Sequence, residues 1–162
     1  MPDLMAYDRL LPCLLDRLTD EEPRSGKESR DRRVMTLRRY LDGVRRDLNW
    51  LLNSKSHTAA ENITEYPEVA QSVLNFGIPD LCGTTGSAME SSHFEREIRR
   101  VLQAFEPRIV RNTLAVEVGA DADEHGANGM SFEISGELWA QPAPESFFVK
   151  TELDLETGDW IL

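Results

Sequence analysis

The sequence offers almost nothing to a membrane. Its longest uninterrupted apolar stretch runs only from Leu10 to Leu15, far short of the roughly 20 residues a bilayer span needs. The opening residues, MPDLMAYDRL, carry acids where a secretory leader needs a basic start, and no suitable apolar run precedes Arg17. The chain is therefore expected in the cytoplasm, without membrane insertion. Cysteine is equally sparse: Cys13 and Cys82 stand alone without CxxC spacing, so neither a disulfide framework nor a zinc site is expected. The histidines, His57, His93 and His125, are not at metal-ligand spacing, and no nucleophile elbow or ordered Ser, His, Asp set is visible. Aromatics make up only 7% of the chain, and none forms a stacking platform beside the basic residues.

Positive charge runs out early. Residues 1–55 carry 12 Lys and Arg against 10 Asp and Glu, whereas residues 56–162 carry 6 against 19. An acidic body repels phosphates. Arg30, Arg32, Arg33, Arg38, Arg39, Arg45 and Arg46 gather near the start, but Asp31, Asp42 and Asp47 interrupt them. A solvated helix face, or a docking face for an acidic partner, is expected rather than nucleic-acid binding.

What is present is periodicity. Leu10, Leu11, Leu14, Leu15 and Leu18 recur at helical spacing around Pro12, followed by the charged stretch TDEEPRSGKESRDRR. Residues 1–33 thus read as an amphipathic segment and linker. The segment cannot build a core alone, so it folds back onto the domain or docks on another protein through Leu14, Leu15 and Leu18. From Met35 onward the helical signal is strong: Leu37, Leu41, Val44, Leu48, Leu51 and Leu52 form one stripe. The stretch EYPEVAQSVLNFGIPD predicts a helix of two or three turns, opened by Pro67 and stopped by Gly77 and Pro79. Ser92 and Glu95 read as a capping box, starting a helix that buries Phe94, Ile98, Val101, Leu102 and Phe105.

Pro107 ends that helix, because the residue before a proline is pushed out of the helical region. Beyond it the period changes to two. Leu114, Val116 and Val118 share one face, as do Phe132, Ile134 and Leu138. A third strand follows with Val149, Thr151, Leu153 and Leu155, and Thr157-Gly158 turns into a short last strand at Trp160. The expected fold class is α+β, N-terminal helices followed by a small antiparallel meander, with residues 34–162 as the domain. Such a sheet has edges where another chain can add a strand, and the last strand is a candidate.

Chemistry finds little support. GTTGS at residues 83–87 lacks the lysine and the preceding strand of a phosphate-binding loop. Asp121, Asp123, His125 and Gly126 begin a calcium-loop pattern that fails at Phe132, where a glutamate is needed. No metal or other cofactor is expected. A glycosidase needs two carboxylates across a cleft, one of them a general acid. Only Glu106 has an unusual setting, and the neighbouring Arg108 favours its ionised form, the opposite of what that acid requires. A structural glutamate paired with Arg108, Arg111 or a partner's arginine is expected instead.

LLPCLLDRLTDEEP, VRRDLNWLLNSK, YPEVAQSVLNFGIPDLCG and above all FEPRI, in this order, resemble the TssE family, the E subunits of type VI secretion baseplates. These subunits are related to sheath-initiator wedge proteins of contractile phage baseplates. The resemblance implies a non-enzymatic baseplate component on the inner face of the cytoplasmic membrane. Its partners would be the wedge subunits TssF and TssG, with TssK as a further candidate, and the sheath subunits TssB and TssC, with no small-molecule substrate. It further implies that the sheet offers a strand-pairing platform to the first sheath ring. Glu106, Pro107 and Arg108 match the family's EPR motif, associated with anchoring that contact. A proline-fixed corner would aim the sheet while its two charges select a partner's register. The same fold leaves two alternatives, a lysozyme-like enzyme that cleaves peptidoglycan and a protein-binding adaptor.

Overall fold

Thr36 stands in extended backbone and its hydroxyl accepts the Arg39 N–H at 3.3 Å, which caps the long helix α2, Leu37–Leu52. The computed structural model describes residues 10, 12–19, 23–24, 35–57, 63–79, 88–119, 129–140 and 143–162. Cys82, the GTTGS stretch, Arg30, Arg32, Arg33, most of the linker and the segment from Asp121 to Ala127 lie outside the described residues. Before α2 comes the short helix α1, Leu14–Leu18. After it come a 3-10 turn at Ile63–Glu65, the short helix α3 at Pro67–Ala70, a second 3-10 turn at Val73–Asn75 and the helix α4 at Ala88–Phe105. Four strands follow: β1 Ala115–Val118, β2 Gly129–Leu138, β3 Glu145–Asp154 and β4 Trp160–Ile161.

The strands form one antiparallel sheet in the order β1-β2-β3-β4, a plain meander. α2 and α4 cover one face. Val44, Leu48 and Leu52 of α2 and Phe94, Ile98 and Leu102 of α4 form one buried cluster with Phe132, Ile134, Leu138 and Leu153 of the sheet. Each such side chain contributes about 1.5–3 kcal/mol on burial. The α+β architecture expected from the change of period is therefore the observed one. Phe132 also stacks obliquely on Trp160, with ring centroids 5.2 Å apart, which pins the two-residue strand β4 to the core.

Three local expectations change. The helix predicted from EYPEVAQSVLNFGIPD breaks into α3 and a 3-10 turn, because Ser72 takes extended backbone and caps Leu74 instead of continuing. Ser92 does not cap α4, which already runs from Ala88. Glu95 is used elsewhere, as described below. The first stripe position of α2, Leu37, is 37% exposed, and Tyr40 is buried in its place.

Gly77 takes φ +121° where the chain turns back along α2's end. A Cβ there would strike the Ser54 carbonyl. The turn places Ile78 beside Lys55, and their strand-like bridge is closed by Ile78 N–H to Ser54 O and Ser56 N–H to Ile78 O, each 2.9 Å.

Candidate protein-interaction site

The corner at Glu106-Pro107-Arg108 is built from charge. α4 ends at Phe105, and the next carboxylate, Glu106, is only 4% exposed. Arg108 holds it with one edge of its guanidinium: Nε donates to Oε1 at 2.7 Å and Nη2 to Oε2 at 2.6 Å, while the Arg108 backbone N–H reaches Oε1 at 3.1 Å. Nη2 also donates to Asp47 Oδ2 of α2 at 2.7 Å. Burial alone weakens the basicity of Arg108, but its bonds to Glu106 and Asp47 outweigh that and raise it. The other oxygen of Asp47 takes Arg46, whose Nη1 reaches Asp16 Oδ1 at 2.7 Å. Asp16 in turn accepts the Cys13 thiol at 2.9 Å. One ladder of alternating charge thus joins α1, α2 and the corner.

The corner's backbone closes a sheet edge. Beyond the end of β1, the far side of β2 is taken by Val110 N–H to Glu137 O at 2.8 Å, and Trp139 N–H to Arg108 O at 2.7 Å. The Thr113 hydroxyl accepts the Glu137 N–H at 2.9 Å. Tyr40 Oη then donates to the Trp139 carbonyl at 2.9 Å. Burial pushes the Tyr40 hydroxyl above its ordinary value, so it keeps the proton it donates.

The other rims are treated unequally. Gly119 N–H bonds Ser131 O, so antiparallel alternation turns the Val116 carbonyl and the Val118 N–H away from β2. α4 meets both: Arg99 Nη2 donates to Val116 O at 3.2 Å, and Glu95 Oε1 accepts Val118 N–H at 3.0 Å. On β4 the Trp160 amide and carbonyl, which face away from β3, are taken by the Asn53 side chain at 2.9 and 3.1 Å. β3 is different. β4 pairs only with Glu152 and Leu153, although β3 pairs with β2 along its whole length. The alternation that turns Asp154 toward β4 turns the backbone groups of Ser146 and Phe148 to the same side, where no strand lies among the described residues.

α1 docks by its polar side. Asp16 packs over Gly43 of α2 and grips Arg46, while upstream Leu10 bridges Met35. Leu14, Leu15 and Leu18 are 70%, 40% and 74% exposed. The sequence-predicted residues therefore fall into two places, a buried charged corner and an outward leucine face, connected through Asp47 and Arg46. Sequence reasoning missed Asp47, Asn53, Glu95, Arg99 and Tyr40. In the sequence Asp47 is one of the acids interrupting the basic run and Asn53 follows the last stripe residue Leu52, and neither position names its partner.

The family model for baseplate wedge protein gp25 matches residues 38–143, which takes in nearly all of α2, the corner and the first two strands, β1 and β2. The chain belongs to this family. Its role is accordingly that of a structural component of a phage-tail-like baseplate. No curated protein matches. Among the described residues, no helix of this gp25-family chain is long and apolar enough to cross a membrane.

Proposed function

We infer that the chain is a TssE-like subunit of a type VI secretion baseplate, which joins the wedge and anchors or initiates the contractile tail sheath by accepting a strand. The observation that carries this reading is the unequal rim of the sheet. Side chains or the corner meet the Val116 carbonyl and the Val118 N–H of β1, the end of β2 and the Trp160 amide and carbonyl of β4, whereas the outward groups of Ser146 and Phe148 in β3 face no strand among the described residues. Natural sheets cover their edges unless an edge has a use. The sheath subunits TssB and TssC supply the strand, and TssF and TssG, with TssK, form the wedge around it on the cytoplasmic face of the membrane. The leucine face of α1 docks on one of those wedge subunits, since α1 is latched from its polar side and presents Leu14 and Leu18 outward.

The triplet works by rigidity. With both oxygens of Glu106 on Arg108, and Arg108 on Asp47, the corner cannot swing without breaking charge-assisted bonds. The same engagement and burial support a structural Glu106 over a peptidoglycan-cleaving acid. Ser146→Pro tests the strand-addition reading, because it removes one outward N–H at a position that tolerates proline. Sheath polymerisation on reconstituted baseplates is expected to stop while TssF and TssG still co-purify. Normal polymerisation with this variant overturns the reading.

A further inference from the structure

The sheet face turned away from the helices has its own pattern. The register sets its rows: Glu117 lies opposite Glu133, and Glu133 opposite Lys150; Ala115 lies opposite Ser135, and Ser135 opposite Phe148; Glu137 lies opposite Ser146. Glu117 facing Glu133 is unfavourable, because like charges directly opposite repel, and Lys150 on the far side of Glu133 supplies one cation against these two carboxylates and Glu137. Two aromatic side chains stand exposed at this face, Phe148 at 56% and Trp139, just past Glu137, at 60%. Ala115 and Ser135, in the row beside Phe148, are small. Trp139 is also held in place, its N–H on Arg108 O and its carbonyl on Tyr40 Oη. The charged corner therefore fixes the backbone that carries an exposed indole, two positions beyond Glu137.

Carboxylates beside exposed aromatic faces suit one cation above others. A guanidinium is planar, stacks on indole or phenyl rings and pairs a carboxylate with two parallel bonds, whereas an ammonium is a strongly hydrated point charge. Residues 56–162 carry 19 acids against 6 bases, so the wider field points the same way. We propose that this outer face binds an arginine-bearing segment of a protein partner, with a guanidinium lying on Trp139 or Phe148 and pairing with Glu117, Glu133 or Glu137. The partner's cation adds to Lys150 in offsetting the negative charge of Glu117, Glu133 and Glu137. This surface adjoins the open edge of β3 at Phe148 but uses its side chain, whereas the edge uses its backbone.

The test titrates the isotope-labelled full chain with a flexible peptide of three arginines spaced by Gly-Ser, and with its lysine and glutamate counterparts. The arginine peptide is expected to shift the resonances of Glu117, Ser135, Phe148 and the Trp139 indole. The lysine peptide should bind about fivefold more weakly, and the glutamate peptide should not bind. Trp139→Ala with Phe148→Ala should weaken the arginine peptide about tenfold at an unchanged melting temperature, since both side chains are exposed. Ser146→Pro should leave binding intact. Equal affinity for lysine and arginine peptides, indifference to the aromatic double variant, or loss with Ser146→Pro each overturns the proposal. The last outcome would put the peptide on the β3 edge and leave the strand-addition reading standing.

Discussion

Arg108 Nη2 lies 2.7 Å from Asp47 Oδ2, joining the corner after α4 to the middle of α2 across 61 positions of sequence. The side chains of Glu106, Arg108 and Asp47 are 4%, 18% and 22% exposed, so the cluster is shielded from most of the solvent. Removing one member of such a set strands another. Arg108→Ala should cost about 3–5 kcal/mol in urea unfolding, because Glu106 is left buried without its counter-charge. Glu106→Ala combined with Arg108→Ala should cost clearly less than the two single changes together, the signature of a coupled pair. Additive costs would show that the two residues act independently.

Gly77 carries a second prediction. Its φ of +121° is one that side chains resist, and a Cβ would meet the Ser54 carbonyl. Gly77→Ala should destabilise by at least about 2 kcal/mol in thermal or denaturant unfolding. Gly43→Ala is the internal contrast. There a Cβ meets only Asp16 at an ordinary 3.6 Å, and a mid-helix alanine is favourable by about 0.5–1 kcal/mol.

The latch between α1 and α2 should respond to acid. Burial pushes the Asp16 carboxyl up, but the Cys13 thiol and the Arg46 guanidinium outweigh it and hold Asp16 below its ordinary value. A depressed carboxylate stabilises the docked form at and above neutral pH, and that contribution is lost as the pH falls through its folded value. Docking of α1, followed by amide exchange at Leu14 to Leu18, should therefore weaken on acidification below the ordinary aspartate range. Asp16→Asn should show weaker docking at neutral pH and little further change on acidification. An unaltered acid response in that variant would move the sensor elsewhere.

Leu14 and Leu18 make the opposite kind of prediction. At 70% and 74% exposure they contribute little to the isolated fold. Leu14→Glu with Leu18→Glu should leave the melting temperature within about 2 °C, since exposed substitutions stay near 0.5 kcal/mol. The variant should still fail to enter the wedge with TssF and TssG, as read by co-purification. Normal entry would show that α1 serves only its own domain.

Much of the architecture was legible because it is local. The stripe of Val44, Leu48, Leu51 and Leu52 and the alternation of Phe132, Ile134 and Leu138 each follow from the repeat of one element, whatever it packs against. The capping box at Ser92 and Glu95 misled for the complementary reason. Glu95 suits a helix start by spacing, but it stands beside β1 in the fold, where an outward N–H of the strand is the stronger claim on it. Likewise, Ser72 ended a helix that Val69 and Val73 would have let continue.

By itself the sequence determined the two long helices, the four strands, their order, the sharp corner at Pro107 and the family likeness, since apolar period and proline geometry act within a few residues. Only the tertiary structure decided which charges meet and which rims close. Arg108 could as well have taken another acid, and Asn53 could have capped only its own helix. Packing α2 across the sheet brought Asp47 to the corner and Asn53 to β4, because a hydrogen bond needs its donor and acceptor about 3 Å apart, a condition that no single element sets.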